Sequence, residues 1–178
     1  MRGKFSKVYR FRIDLNEIDP IIWRQIEVPE NFTFWDLHVA IQDAMGWKDC
    51  HLHEFDVINP RTEKCENIGI TDEESEWVLE TLTGWKILIS EYFNAKNPHA
   101  VYTYDFGDKW THLITLEAIL AVFFQKIYPC CISGARACPP EDVGGVIGYY
   151  NFLTIIENPN HKLHQKICDR FGTLYNPG

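Results

Sequence analysis

From Tyr9 to Leu15 every second residue is large and apolar and every residue between is charged: Tyr9, Phe11, Ile13 and Leu15 against Arg10, Arg12 and Asp14. An extended chain points successive side chains to opposite faces, so this stretch is a strand with one face in a core and one toward water. Such a strand has to sit in a sheet covered on one side. Pro20 after Asp19 marks a turn, Ile22, Ile26 and Val28 continue as a second strand, and Pro29 ends it. The same period of two returns at His51–Ile58, with His51, His53, Phe55 and Val57 on one face. It returns again at Ala100–Phe106, where a Gly107-Asp108 turn leads into His112, Ile114 and Leu116, a hairpin pattern.

Between these strands the period changes. Leu37, Ala40, Ile41 and Ala44 stand at i, i+3, i+4 and i+7, one face of a helix. Thr33 with Asp36 three residues on is a capping-box variant, and Gly46 sits where a C-terminal cap belongs. The same spacing predicts His38, Gln42 and Asp43 on the outer face. Residues 61–84 carry no clear period; the acidic run Asp72, Glu73, Glu74 and Glu76 reads as a solvated loop or helix edge. Trp85–Ile89 is a short apolar piece, with Ser90 capping a single helical turn through Phe93. Prolines, glycines and cysteines crowd 128–147, which predicts loop throughout. Tyr149, Phe152, Leu153 and Ile156 predict a second helix ended by Pro159, and Leu163 with Ile167 a short last one. Strands and helices do not alternate strictly. The expected fold is therefore α+β, a mostly antiparallel sheet packed with a central helix and a C-terminal helical pair, as a single domain over 1–178.

Composition narrows the function classes. Seventeen Lys and Arg against 25 Asp and Glu leave a net charge of −8, and the arginines do not cluster. That argues against direct duplex nucleic-acid binding, which needs a concentrated basic face to displace counterions. The longest apolar run, Ala118–Phe124, is far short of the ~20 residues of a spanning helix, and no export signal follows Met1. The expectation is a soluble, acidic, cytoplasmic protein with no membrane partner.

Several patterns invite chemistry. A strand places His51 and His53 on one face, so the pair reaches one divalent metal ion with both imidazoles, and His112 or Asp105 on the hairpin offers a third ligand. The alternative is that each histidine is partly buried and hydrogen-bonded. Cys131 and Cys138 lie too far apart for the usual zinc spacing, and buried free thiols are the plainer reading. Asp105-Phe106-Gly107 lacks the other kinase elements and is better explained as a hairpin turn. Gly144-Gly145 before a helix resembles a phosphate cradle, but Glu141 and Asp142 would occupy its donors and repel phosphate. A cation or a ligand amine suits that loop better. Asp142 is expected to cap the helix beginning near Gly144, with Glu141 exposed. No G-x-S-x-G elbow or other nucleophile with an identifiable base is present.

Two longer stretches carry a resemblance. Tyr104-Asp105-Phe106-Gly107-Asp108-Lys109-Trp110-Thr111-His112 and Ala137-Cys138-Pro139-Pro140-Glu141-Asp142-Val143-Gly144-Gly145-Val146-Ile147-Gly148-Tyr149 resemble the two signatures of the plasmid pRiA4b ORF-3-like family. His51–Phe55 and the Tyr9–Trp23 strand pair are similar to its other landmarks, so the likeness covers nearly the whole chain. A resolvase-type label used for some members finds no activated serine among arginines here. Two functions follow: a non-enzymatic binding or interaction module, or a metal-dependent, hydrolase-like enzyme with a His/Asp cleft. The cleft candidates are His51, His53, Asp105, Asp108, Trp110, His112, Glu141, Asp142 and Tyr149, with His51, His53 and His112 as metal ligands. Their strands should lie close, with the polar groups converging near the Cys138–Gly148 loop, because polar residues at core-facing positions concentrate at functional sites.

A reducing compartment predicts six free thiols. Thiol titration of the denatured protein should count all six; two or four would mean a disulfide or a bound metal, with Cys131 and Cys138 the first suspects.

Overall fold

The computed structural model describes residues 5–70, 81–172 and 175–178. The acidic run at 72–76 lies outside the described residues. Eight strands form one sheet: β1 (Lys7–Leu15), β2 (Ile22–Pro29), β3 (His53–Ile58), β4 (Cys65–Gly69), β5 (Leu82–Thr83), β6 (His99–Tyr104), β7 (Trp110–Ala121) and β8 (Cys130–Ala135). Their order across the sheet is β5-β4-β3-β6-β7-β1-β2-β8. Every pairing is antiparallel except that of β4 with β5. Among the described residues three α-helices accompany it: α1 (Phe34–Met45), α2 (Gly145–Ile156) and α3 (His164–Phe171), the last two packed together as a C-terminal pair. The fold is α+β.

The alternation in β1 has the expected consequence. Tyr9, Phe11, Ile13 and Leu15 are buried on the face that α1 covers, while Arg10 and Arg12 stay half-exposed on the other. Phe11 meets Phe93 edge-on, and Phe34 of α1 packs against Phe55, Tyr92 and Phe93. Aromatic rings thus fill the space between helix and sheet. The capping box forms as read: the Thr33 hydroxyl accepts from Asp36 N–H, and the Asp36 carboxylate accepts from Thr33 N–H. Gly46 closes the helix in a left-handed conformation, φ 84°. The apolar piece near 85–93 becomes two short 3-10 turns, Gly84–Lys86 and Ile89–Glu91.

Three expectations need correction. First, His38 and Gln42 face the sheet and are buried, not solvated. They stand at i+4 and i+8 from Phe34, inside the helix's buried arc, and the sheet supplies hydrogen-bond partners that make their burial possible.

Second, the stretch predicted as loop contains β8. An edge strand pairs on one side only, and here Pro129 and Pro139 flank it rather than interrupt it. Gly134 is required inside it: a Cβ there would lie 2.8 Å from Arg24 Cδ and 2.9 Å from Trp23 O.

Third, Asp142 caps no helix. The N-cap of α2 is Gly144, with no side-chain cap, and its N–H is taken by the Asp108 carboxylate at 3.0 Å. Asp142 is occupied elsewhere, and Glu141 is only half-exposed.

Thr33→Ala should lower stability by ~1 kcal/mol, read as a shifted urea midpoint with unchanged slope, and Thr33→Ser should retain most of it.

Candidate functional site

Strand register decides which polar residues meet. His53 pairs with Tyr104 and Phe55 with Tyr102 across β3–β6; Tyr102 pairs with His112 and Tyr104 with Trp110 across β6–β7. Paired residues share a face, so His53, Tyr102, Tyr104, Trp110 and His112 all point toward α1. His53 and His112 lie on one face of the sheet, but the Tyr102 ring stands between them, 6.1 Å from one and 5.3 Å from the other.

The inner group surrounds the Tyr102 hydroxyl, which lies 2.8 Å from His38 Nδ1 and accepts from Gln42 Nε2 at 3.0 Å. His38 Nε2 lies 2.8 Å from Asp49 Oδ1, and Asp49 N–H donates to Gln42 Oε1. A carboxylate accepts, so Nε2 carries the proton and Nδ1 accepts from the tyrosine. The His53 ring lies flat on His38, centroids 3.4 Å apart and planes at 6°, with Trp35 beside both. Nδ1 of His53 and Nε2 of His112 are buried without a hydrogen-bond partner among the described residues. Burial pulls the imidazole pKa of His38 down to about 4, of His53 to about 3 and of His112 to about 4, so all three are neutral at pH 7. Burial also pushes the Asp49 carboxyl up.

The outer group joins the two longer motifs. His51 Nε2 lies 3.0 Å from Asp142 Oδ1 and 3.6 Å from Asp105 Oδ2. Glu141 accepts from the Lys48 N–H at 2.7 Å and from the Tyr104 hydroxyl at 3.1 Å, and that hydroxyl accepts from Cys50 N–H. Asp105 Oδ1 accepts from the Gly107 and Asp108 amides, which shapes the hairpin turn. Asp49, Asp105 and Asp142 all have positive φ, near 55°, a conformation for which aspartate is among the enriched residues. Gly145 seats α2 against this turn: a Cβ there would lie 2.7 Å from the Asp108 carbonyl oxygen.

Beside this network is a cleft of about 400 Å³, between the end of α1, the Cys138–Asp142 segment and α3. Lys48, Glu141, Asp142 and Arg170 bring charge to it; Phe171 and Tyr175 bring rings. Cys138 also lines it, buried, with its thiol pushed up to about 11. All six cysteines are free.

The structure therefore brings together His51, Asp105, Asp108, Glu141 and Asp142. It does not bring Trp110 or Tyr149, which are 1% and 2% exposed core residues. His51, His53 and His112 do not share one centre. Among the described residues, two groups have ligand atoms within 4.8 Å of one another: His38, Asp49 and His53, and His51, Asp105 and Asp142. Sequence reasoning missed His38 and Asp49. The available signal was a histidine and a glutamine at i+4 and i+8 from Phe34.

The family described as plasmid pRiA4b ORF-3-like protein matches residues 7–178. The chain is 30% identical over 169 residues to the uncharacterized protein y4hQ of Sinorhizobium fredii, covering 94% of this chain and 82% of that one. It is also similar to the crystal structure of a protein of unknown function, MM3350, from Methanosarcina mazei Go1. The identity there is 41% and the TM-score 0.90, over 98% of this chain and 94% of the other.

The three buried histidines bind protons less tightly folded than unfolded, where their pKa is about 6.5. The unfolded chain takes up protons first, so stability is full above that value and falls as pH drops toward 4. Proton uptake on urea unfolding should rise from less than about one per molecule at pH 7 to about two to three at pH 5. His112→Asn should reduce it by about one.

Proposed function

This chain belongs to the plasmid pRiA4b ORF-3-like family, and from that premise we propose that it is a binding module whose cleft takes a small ligand bearing an amine or other cationic group. The observation that carries this reading is the composition of the cleft. Its volume of about 400 Å³ falls in the range of small-molecule sites. Glu141 spends one oxygen on Lys48 N–H and Tyr104, and Asp142 spends one on His51; among the described residues the second oxygen of each is left for a ligand. Tyr175 adds ring surface suited to a cation, while Phe171 already carries the Arg170 guanidinium 4.7 Å above its centroid. The cysteine lining the cleft is a buried thiol with a raised pKa, the reverse of an activated nucleophile.

One observation favours the hydrolytic alternative: His51, Asp105 and Asp142 lie close enough to hold an ion with bound water. The two readings separate experimentally. Titration with 1,4-diaminobutane followed by amide NMR should move Lys48, Asp142 and Arg170, and Glu141→Gln should weaken the effect about tenfold, the size of one lost charge-assisted hydrogen bond. An absence of shifts, together with metal-dependent cleavage of p-nitrophenyl esters abolished in His51→Ala, would replace binding by catalysis.

A further inference from the structure

The buried histidine pair has no part in the cleft, yet it is the most unusual polar arrangement in the protein. Two imidazoles, 0% and 2% exposed, sit against each other under α1. One of them buries a ring nitrogen, His53 Nδ1, that has no hydrogen-bond partner among the described residues. Leaving a buried polar atom unpaired costs its full desolvation, and native interiors seldom tolerate it without a reason. Asp49 closes the group from the surface side, its carboxylate 2.8 Å from His38 Nε2 and its side chain 37% exposed.

We propose that His38, Asp49 and His53 form a binding site for one divalent transition-metal ion, zinc or a similar imidazole-seeking cation. Each of the three offers a ligand atom, all within 4.8 Å of one another. Two nitrogens and one oxygen suit such ions, and the half-exposed side of Asp49 leaves a position for water. The imidazoles are neutral, which is the ligating form. The surroundings match a ligand's outer shell. When His38 Nε2 serves the ion, its proton moves to Nδ1 and is donated to the Tyr102 oxygen, which Gln42 also holds in place, and the Tyr102 hydroxyl turns its own proton away from His38. One rearrangement is required. The rings lie face to face, so the His53 ring must tilt to aim a lone pair, rather than its face, at the shared point. Trp35, packed against both rings at 5.3 and 5.7 Å, bounds that motion.

The test uses the full chain, purified without a histidine tag and treated with chelator, then titrated with Zn(II) by calorimetry and with Co(II) by visible absorption. One ion per chain is expected, with the intense d–d bands of a low-symmetry Co(II) site. Asp49→Asn keeps a hydrogen-bond acceptor for His38 and should fold normally. It should lower Zn(II) affinity about 100-fold or more, since even an outer-shell loss costs up to that much. His53→Gln should do the same, while His51→Ala should leave affinity unchanged. No Zn(II) binding by the wild-type chain would overturn the proposal. So would binding lost in His51→Ala and kept in Asp49→Asn, which would place the ion in the outer group.

Discussion

The Tyr102 hydroxyl is the point on which the central layer of this protein depends. It stands on β6, fully buried, and meets a histidine and a glutamine from the helix above. An apolar helix face would pack on a sheet in many registers, because hydrophobic burial has no direction. Hydrogen bonds to one buried oxygen admit far fewer. His38 and Gln42 bond to it, and Asp49 in turn bonds to both of them, so α1 and the chain that leaves it are positioned together. Burial raises the Tyr102 pKa well above its usual value and lowers those of the nearby imidazoles, so the network stays neutral apart from its surface carboxylate.

From that anchor the path to the outer network is short. The chain passes from Asp49 through Cys50 and His51 to His53, and these residues serve different neighbours. Asp49 and His53 belong to the inner group, Cys50 donates to Tyr104, and His51 reaches the Asp142 loop. Five residues therefore connect the interior beneath α1 to the rim of the cleft. The hairpin turn of 105–108 and the Gly144–Gly145 corner complete the connection, one supplying a carboxylate and the other a backbone that approaches closely. The Gly-Gly pair is explained by this contact rather than by a phosphate: its first amide is already filled by Asp108.

Particular residues show how much of this was legible beforehand. The strands at 9–15, 22–28, 100–104 and 110–116 and the helix after Thr33 follow from periodicity, since local sequence dictates which face each side chain takes. The Thr33–Asp36 box and Gly46 were readable because caps are local too. The gathering of His51, Asp105, Asp108, Glu141 and Asp142 was legible as an expectation, because polar residues at core-facing positions of a sheet tend to share a site, although the mode was not. Asp142 was assigned to its own helix and instead reaches His51. β8 was hidden because an edge strand needs neither clean alternation nor a proline-free neighbourhood. His38 was hidden because a polar residue within a helix is solvated by default, and only a partner elsewhere reverses that.

The sequence alone determined five of the strands (β1, β2, β3, β6 and β7), the central helix with its ends, and the α+β class, because these follow from side-chain periodicity and from caps within a few residues. Tertiary structure decided which polar groups meet. Register across β3, β6 and β7 set Tyr102 between His53 and His112, which separates them. The docking of α1 brought His38 over His53, and the return of the chain after β8 brought Asp142 to His51. These are contacts between residues 15 and 91 positions apart. Their partners are chosen by the packing of whole elements, and no local pattern encodes that choice.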